Sequence, residues 1–564
     1  MSVSQSSTTS GSAADTPVAP QPTHEVFNQP RPLENYNAWA TDIALQEAVR
    51  REGGGAFEDR LEAYGAIAGS EVLELGFEAN ENKPRLRTHD RFGHRIDEVD
   101  YHPAYHRLMT LGISHGLTSL TWTGGSGARV ARTALMYLHN QFEAGTMCPM
   151  TMTHAVIPSL REQPDVAAEW EPLVLSGEYD QRFIPPAQKR GVTLGMAMTE
   201  KQGGSDVRAN TTRATPVAQP GPGQAYELVG HKWFCSAPMS DAFLTLAYTG
   251  GGLSCFLVPR WCPDGSRNRF HIQRLKDKLG NQSNASSEIE YHGAWSRMVG
   301  EEGRGVATIL RMVGETRLDC VIGSASLQRQ ALAQAVNHCA GREAFGRRLV
   351  DQPMMRNVLA DLALESEGAV AMTMRLARGF EAAAGDEHSA LFVRIATAVA
   401  KYWVCKRAPM MINEAQECLG GAGYVEETIL PRLYREAPVN AIWEGSGNVQ
   451  CLDVLRALSK TPQTLDAFFV ELDRAKGEDR HFDHYVTALK KEFDHTEDMQ
   501  LRARRVVEGM ALALQGALLI QAGNAAVADA WCASRLAGDG GLLAGTLAPG
   551  TDLDTLIRRA TPLT

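Results

Sequence analysis

Apolar positions recur at three- and four-residue spacing from about residue 35 to 190, as in Asp42-Ile-Ala-Leu-Gln-Glu-Ala-Val and Glu71-Val-Leu-Glu-Leu-Gly-Phe-Glu. That period lines one face of a helix and predicts a mostly helical segment. Around Val192 the texture changes. Val192-Thr-Leu-Gly-Met-Ala-Met, Tyr226-Glu-Leu-Val, Ala242-Phe-Leu-Thr-Leu-Ala-Tyr, Ser254-Cys-Phe-Leu-Val and Phe270-His-Ile-Gln-Arg-Leu are short β-type runs between Gly, Pro and Asn turns. With Ser286-Ser-Glu-Ile-Glu-Tyr they predict a compact all-β domain reaching about residue 299. The helical period returns at Val306-Ala-Thr-Ile-Leu and runs to about Leu458. After Lys460-Thr-Pro a charge-rich helical stretch continues to about Leu536 and gives way to a Gly-rich tail.

The expected fold is mainly α with a central β domain. Its parts are a disordered tail and extension at 1–34, a helical domain at 35–190 and a β domain at 191–300. A helical bundle at 301–458 and an added helical domain at 459–564 complete it. Strands clustered in the middle of the chain argue against a doubly wound α/β fold, in which strands and helices alternate throughout.

Composition narrows the function classes. The 564 residues are 44% hydrophobic and 22% charged, ordinary values for globular protein. Lys and Arg number 56 against 66 Asp and Glu, a net charge of −10. Whole-molecule attraction to nucleic acid or anionic membrane is excluded, and any such contact needs a local basic patch. The ten cysteines form no C-x-x-C pair and read as free thiols in a reducing compartment. His102 with His106, and His481 with His484, have no third ligand at plausible spacing, so no metal is expected. The first 22 residues hold no Lys or Arg, unlike a secretory or mitochondrial leader, and read as a disordered tail. Residues 509–531 are interrupted by Gln515, Gln521, Asn524 and Asp529, which suits a soluble helix rather than a membrane span. A cytoplasmic location without membrane contact is expected.

Several windows carry chemistry. Met196-Ala-Met-Thr-Glu-Lys-Gln-Gly-Gly-Ser-Asp206 ends a strand in a turn with two glycines and two hydroxyls; it is either a hairpin loop or an anion-binding concavity. Trp233-Phe-Cys-Ser236 is either a strand with a core aromatic or a wall that stacks on a planar ring. Ile442-Trp-Glu-Gly-Ser-Gly-Asn448 holds a glutamate between an aromatic residue and glycine. It is either a solvated helix end or a partly desolvated general base. Arg342-Glu-Ala-Phe-Gly346 follows a helix, with Gln352 behind it, and Leu419-Gly-Gly-Ala-Gly-Tyr424 is trailed by Arg432 and Arg435. Arginine beside open backbone N–H groups suits a pyrophosphate. Neither window is a dinucleotide fingerprint of the G-x-G-x-x-G type, and Gly124-Gly-Ser-Gly127 lacks the lysine of a P-loop.

Taken together and in this order, these windows resemble the acyl-CoA dehydrogenase family of flavoproteins over roughly residues 100–455. The segments Thr199-Glu-Lys-Gln-Gly-Gly-Ser-Asp206, Leu275-Lys-Asp-Lys-Leu-Gly-Asn281 and Trp443-Glu-Gly-Ser-Gly-Asn448 carry the likeness. From Val26-Phe-Asn-Gln-Pro-Arg-Pro-Leu33 into the last domain the chain resembles the branch of that family associated with the response to DNA alkylation.

The resemblance implies FAD as cofactor and acyl-CoA as substrate class. It implies that Met196, Ala197, Met198, Thr199 and Ser205 line the flavin, with Thr199 at the isoalloxazine edge and Ser205 near the pyrophosphate. Phe234, Cys235 and Ser236 would border the ring, although most relatives carry Trp where Phe234 stands. Arg342 and Phe345 would come from a neighbouring subunit to the FAD diphosphate and adenine, with Gly420 and Gly421 along the same tail. Trp443, Gly445, Ser446 and Asn448 complete the implied cofactor set. Glu444 matches the base that removes the α-proton of a thioester. Some relatives carry their base on an earlier helix, near Glu315-Thr316-Arg317, where by alignment Thr316 stands. The family also implies a dimer or a tetramer of paired dimers. The branch implies non-sequence-specific contact with double-stranded DNA through the last domain, for which Arg456, Lys490, Lys491, Arg502, Arg504 and Arg505 are the phosphate contacts expected. Residues 460–564 hold 12 Lys and Arg against 15 Asp and Glu, a net of −3. The alternative is an ordinary metabolic dehydrogenase for a short or branched acyl-CoA with no DNA role.

Overall fold

The computed structural model describes residues 23–495 and 497–562; the tail expected at 1–22 lies outside them. The strands of the middle region run from β3 (Leu194–Ala197) through β4 (Arg213–Pro216), β5 (Ala225–Ser236), β6 (Ala242–Thr249), β7 (Gly252–Pro259) and β8 (Phe270–Leu275) to β9 (Ser286–Val299). They follow β1 (Arg85–His89) and β2 (Arg95–Asp100), which form a separate antiparallel hairpin. In the middle sheet β5 pairs with β4 and β9, β9 with β7, and β7 with β6. Strand β6 then meets β4 at Tyr248 and Arg213, so the path returns to its start and closes a barrel, with β3 added to β6 and β8 to β9. Alternate residues of its strands fill the interior, among them Tyr226, Phe243, Phe256, Phe270 and Tyr291.

The hairpin β1–β2 is an element the sequence pattern does not signal, because Arg85-Leu-Arg-Thr-His is neither apolar nor cleanly alternating in hydrophobicity. Contacts with the barrel hold it. Arg95 Nη2 donates to the Ile272 carbonyl at 2.9 Å, Arg267 Nη1 to that of Ile96 at 2.7 Å, and Val99 packs with the barrel core.

Three long helices, Gly305–Gly341, Pro353–Ala382 and Glu387–Leu419, form the centre of the helical bundle. Their facing sides are rich in Ala, Val and Leu, so the backbones approach closely and one apolar core runs through both terminal regions as well. Two shorter helices, Leu430–Asn440 and Gly447–Lys460, flank the turn that carries Glu444. Beyond them Gln463–Asp473, Arg480–Lys491, Met499–Gln521 and Ala525–Trp531 pack on the bundle. A buried Arg375–Glu471 pair at 2.6 and 2.9 Å and the fully buried Trp531 join the two regions. The Gly-rich end is more than a tail. It leads to a helix at Leu553–Ala560, where Arg559 meets Glu47 and Glu367 and the Ala560 carbonyl accepts from Arg329 at 2.7 Å.

Candidate active site

Glu444 sits between helices Leu430–Asn440 and Gly447–Lys460 with φ at 57°. That left-handed conformation costs a non-glycine residue on the order of 1 kcal/mol or more, so its surroundings must hold it. They do. The Lys401 ammonium donates to the carbonyls of Asn440, Trp443 and Gly445 at 3.1, 2.8 and 2.8 Å. Gln450 Nε2 donates to the carbonyls of Glu444 and Gly445 at 3.1 and 2.9 Å. Arg317 Nε donates to the Glu444 carbonyl at 3.1 Å.

The carboxyl group itself is turned inward. Its Oε2 is buried without a hydrogen-bond partner among the described residues. Burial raises the Glu444 carboxyl above the ordinary carboxylate range, opposed by the Thr316 hydroxyl beside it and by the positive charges of Lys401 and Arg317. A carboxylate with one open, desolvated oxygen and an elevated proton affinity is suited to accept a proton from a weak carbon acid.

Glu315 is not a second base of this kind. Arg129 Nη1 donates to its Oε2 at 2.5 Å, and His154 Nε2 lies 3.6 Å from the same oxygen. Despite burial, these charges hold Glu315 down to about 2. One turn further along the helix, Arg132 grips Asp319 with two bonds, and Thr151 donates to Asp319 at 2.6 Å.

The windows expected to line a flavin lie at the barrel end nearest this turn. Met196 and Met198 share a hydrophobic cluster with Trp443, Trp122 and Met312. The Trp233 N–H donates to the Thr199 carbonyl at 2.8 Å, which ties the loop after β3 to β5. In that loop a Cβ at Gly204 would lie 2.2 Å from Thr199 Oγ1, so any larger residue would displace the Thr199 side chain. Glu200, unassigned by the sequence reading, anchors the loop. It is buried and accepts from Lys232 Nζ at 2.9 Å, from the backbone and hydroxyl of Thr211 at 2.6 and 2.9 Å, and from those of Thr212 at 3.1 and 2.6 Å. Ser205 is exposed beyond it.

At the end of β5 the Phe234 ring is 50% exposed, whereas Cys235 is fully buried in the barrel core. The Cys235 side chain therefore faces away from any ring that Phe234 stacks on. Trp233 is covered by Lys276, whose Nζ lies 3.3 Å from the indole centroid. Ser236 Oγ is 3.1 Å from Ser286 Oγ, and Lys278 Nζ donates to Ser286 Oγ at 3.1 Å. Burial lowers the Lys278 ammonium to about 8. Both polar atoms of the neighbouring Asn284 amide are buried without a partner among the described residues. Lys278, inside the Leu275–Asn281 motif, and Asn284 have no local signal that marks them for this site. A half-exposed ring, adjacent hydroxyls and an unpartnered amide fit a planar heterocycle with polar edges.

The other residues expected at the cofactor lie elsewhere. Arg342 ends helix Gly305–Gly341, and Phe345 is fully exposed at the tip of the hairpin Glu343–Arg348, with φ at 52°. Asn28 clasps this hairpin by accepting from the Glu343 N–H at 2.7 Å and donating to the Glu343 carbonyl at 2.9 Å, while Arg342 Nη1 donates to the Asn28 carbonyl at 2.6 Å. Gln352 Nε2 donates to the Ala344 carbonyl at 3.0 Å. Gly420 and Gly421 form an open turn at the end of helix Glu387–Leu419, next to the same hairpin's helix through Cys339 and Cys418. About 37 Å of helix, 25 residues at about 1.5 Å each, separates Arg342 from Arg317 beside Glu444. Arg432 and Arg435 do not face a pyrophosphate. Arg432 is buried, donates to the Phe142 carbonyl at 2.8 Å and stacks on Phe77, and Arg435 is paired with Glu426. The Gly124–Gly127 turn likewise meets a carboxylate of its own chain, Glu381, which accepts from Gly127 N and Arg129 N at 2.6 and 2.9 Å.

Residues 28–181 match the AidB N-terminal domain, 195–294 the acyl-CoA dehydrogenase middle domain and 303–459 the acyl-CoA dehydrogenase C-terminal domain. The chain is 47% identical over 524 residues to AidB of Escherichia coli K12, covering 92% of this chain and 96% of that protein. The chain belongs to the acyl-CoA dehydrogenase family, in its AidB branch. It is also 30% identical over 484 residues to acyl-CoA dehydrogenase family member 11 of Caenorhabditis elegans, covering 83% of this chain and 75% of the relative. Two solved structures superpose over most of its length. They are Bd2924 in its apo form, with a TM-score of 0.81, 28% identity and 88% and 100% of the two chains covered, and C. elegans ACDH-11 in complex with C11-CoA, with a TM-score of 0.82, 27% identity and 97% and 95% covered. Members of this family are oxidoreductases that bind FAD. No helix among the described residues is long and apolar enough to cross a membrane.

Proposed function

We propose that this AidB-type protein is an FAD-dependent acyl-CoA oxidoreductase in which Glu444 removes the α-proton of the thioester. The carrying observation is the buried, unpartnered Oε2 of Glu444 on a turn held by Lys401, Gln450 and Arg317. Met198, Thr199 and Ser205 would hold the flavin with Phe234 and Ser236. Ser446 and Asn448, at the start of helix Gly447–Lys460, would border the cofactor from the other side. When bound, FAD supplies the acceptor for the hydride that leaves Cβ. The chain's own part is to orient the substrate, exclude water and hold the proton on Oε2, while the Glu444 backbone N–H supports the negative charge that develops on the thioester oxygen. The acyl-CoA class is supported by the C11-CoA bound in the ACDH-11 relative.

The distance between Arg342 and Glu444 and the bare ring of Phe345 support a dimer in which these residues reach the partner's FAD, within a tetramer of paired dimers. The ten free cysteines suit a reducing cytoplasm.

The test is the visible spectrum under anaerobic titration with short and branched acyl-CoA esters. The wild type should bleach the oxidised flavin band, and E444Q should retain FAD without bleaching. Bleaching of E444Q at the wild-type rate would overturn the base assignment.

A second reading, association with duplex DNA through the last domain, is supported only by a smaller patch than the sequence suggests. Arg456 pairs with Asp453, Lys490 with Asp473 and Arg502 with Glu492. Lys491, Arg504 and Arg505 remain exposed, Arg505 at 3.7 Å from Glu492. Reversing these three to Glu should weaken DNA retention at low salt and flatten its salt dependence; unchanged retention would exclude the patch.

A further inference from the structure

Lys401 lies on helix Glu387–Leu419 and is 2% exposed. A lysine buried to this degree is ordinarily matched by a carboxylate. Here the three donors of the ammonium all go to backbone carbonyls, those of Asn440, Trp443 and Gly445. These carbonyls belong to the last residue of one helix and to the two neighbours of Glu444 in the turn, so a single cation closes the turn around the left-handed residue. The carboxylate that benefits from its charge is Glu444.

We propose that Lys401 is a positioning residue for Glu444, holding the turn that carries the carboxylate and placing a fixed positive charge beside it. The inference rests on Glu444 being the base. Other charged groups around that turn are accounted for. Arg317, from helix Gly305–Gly341, donates to the Glu444 carbonyl and spends its Nη1 on Asp453 at 2.7 Å. Asp453, from helix Gly447–Lys460, is matched in turn by Arg394 of the Lys401 helix at 3.0 Å. Lys406, also on that helix, lies against Gly447 and near the Tyr402 ring. Cys148 and Cys320 are thiols that burial pushes up, and they stay neutral near Glu444. Lys278 faces Cys148 from the barrel side. Lys401 is therefore the cation that joins both neighbours of Glu444 to the bundle.

Glutamine at position 401 keeps amide donors for the carbonyls and removes the charge; arginine keeps the charge. In the FAD-loaded protein, K401Q should move the titration of Glu444 upward by about one pH unit, tenfold in proton affinity, with the flavin still bound. K401R should stay within a few tenths of a unit of wild type. The titration is read by infrared difference spectroscopy across pH against E444Q, which needs no turnover. It is read again as the pH profile of flavin reduction by acyl-CoA. A Glu444 titration unmoved in folded, flavin-bound K401Q would overturn the proposal. Because the infrared signal reports the carboxyl directly, an absence of acyl-CoA reduction in the wild type would count against the functional reading and leave the Lys401 result legible.

Discussion

Arg317 donates from Nε to the main-chain carbonyl of Glu444 and from Nη1 to the carboxylate of Asp453. The site turn is thereby linked to the helix that leads into the C-terminal region. Asp453 also accepts from Arg394 at 3.0 and 3.1 Å and from Arg456 of its own helix at 3.3 Å, so three arginines converge on one buried acid.

Replacing Asp453 with Asn should therefore loosen Arg317 and the Glu444 turn. A small displacement of a reacting group costs up to about a hundredfold in rate. Flavin reduction by acyl-CoA should slow by about ten- to a hundredfold in stopped-flow traces, with FAD content unchanged.

The reaction should be pH-dependent with a definite sign. Burial holds the Glu444 carboxyl above the ordinary carboxylate range, so below its pKa the base is protonated and idle. The reduction rate should rise about tenfold per unit of pH there and level off above an apparent pKa higher than the ~4.3 of an unperturbed glutamate. A pH-rate profile checks this.

The Arg129–Glu315 pair should be structural. Arg129→Met leaves a buried carboxylate with only His154 beside it, a change that costs about 3–5 kcal/mol. The first unfolding midpoint in calorimetry should fall, and adding Glu315→Gln should restore much of the loss.

Glu436 predicts a stability term of opposite sign to the usual acid effect. It is buried, accepts from the Asn281 N–H at 2.8 and 2.7 Å, and burial pushes it up to about 7. Its folded form binds a proton more tightly than the unfolded chain, so its contribution is present below the unfolded pKa and is lost as pH rises towards 7. Between pH 5 and 8 the wild type should lose on the order of 2 kcal/mol relative to Glu436→Gln in denaturant titrations.

The N-terminal arm should matter for the cofactor. Asn28→Ala removes both side-chain bonds to Glu343 and places alanine at φ 55°. Arg342 and Phe345 then lose their clasp. If they serve FAD, the deflavinated variant should rebind it several-fold more weakly in fluorescence titrations, with the fold unchanged by circular dichroism.

The order of elements was legible in the sequence because periods of 3.6 and 2 are local properties of a chain with one buried face. The short motifs were legible too, since a loop that must pass close to its own side chains, as Gly204 does to Thr199, admits few residue types. Roles that depend on charge partners were not. Arg432 and Arg435 read like phosphate ligands until packing brought Phe142 and Glu426 to them, and the pairing of Arg502 with Glu492 has no signal in the chain either. The hairpin β1–β2 and the helix Leu553–Ala560 were missed because distant residues stabilise them.

Local periodicity and short motifs suffice for the mainly helical fold, the central strands and the family to which the chain belongs. Which charges are paired depends on packing. Coulomb attraction and desolvation act between groups brought close in space from any distance along the chain, so Lys401 beside Glu444 and Arg129 against Glu315 have no local signature.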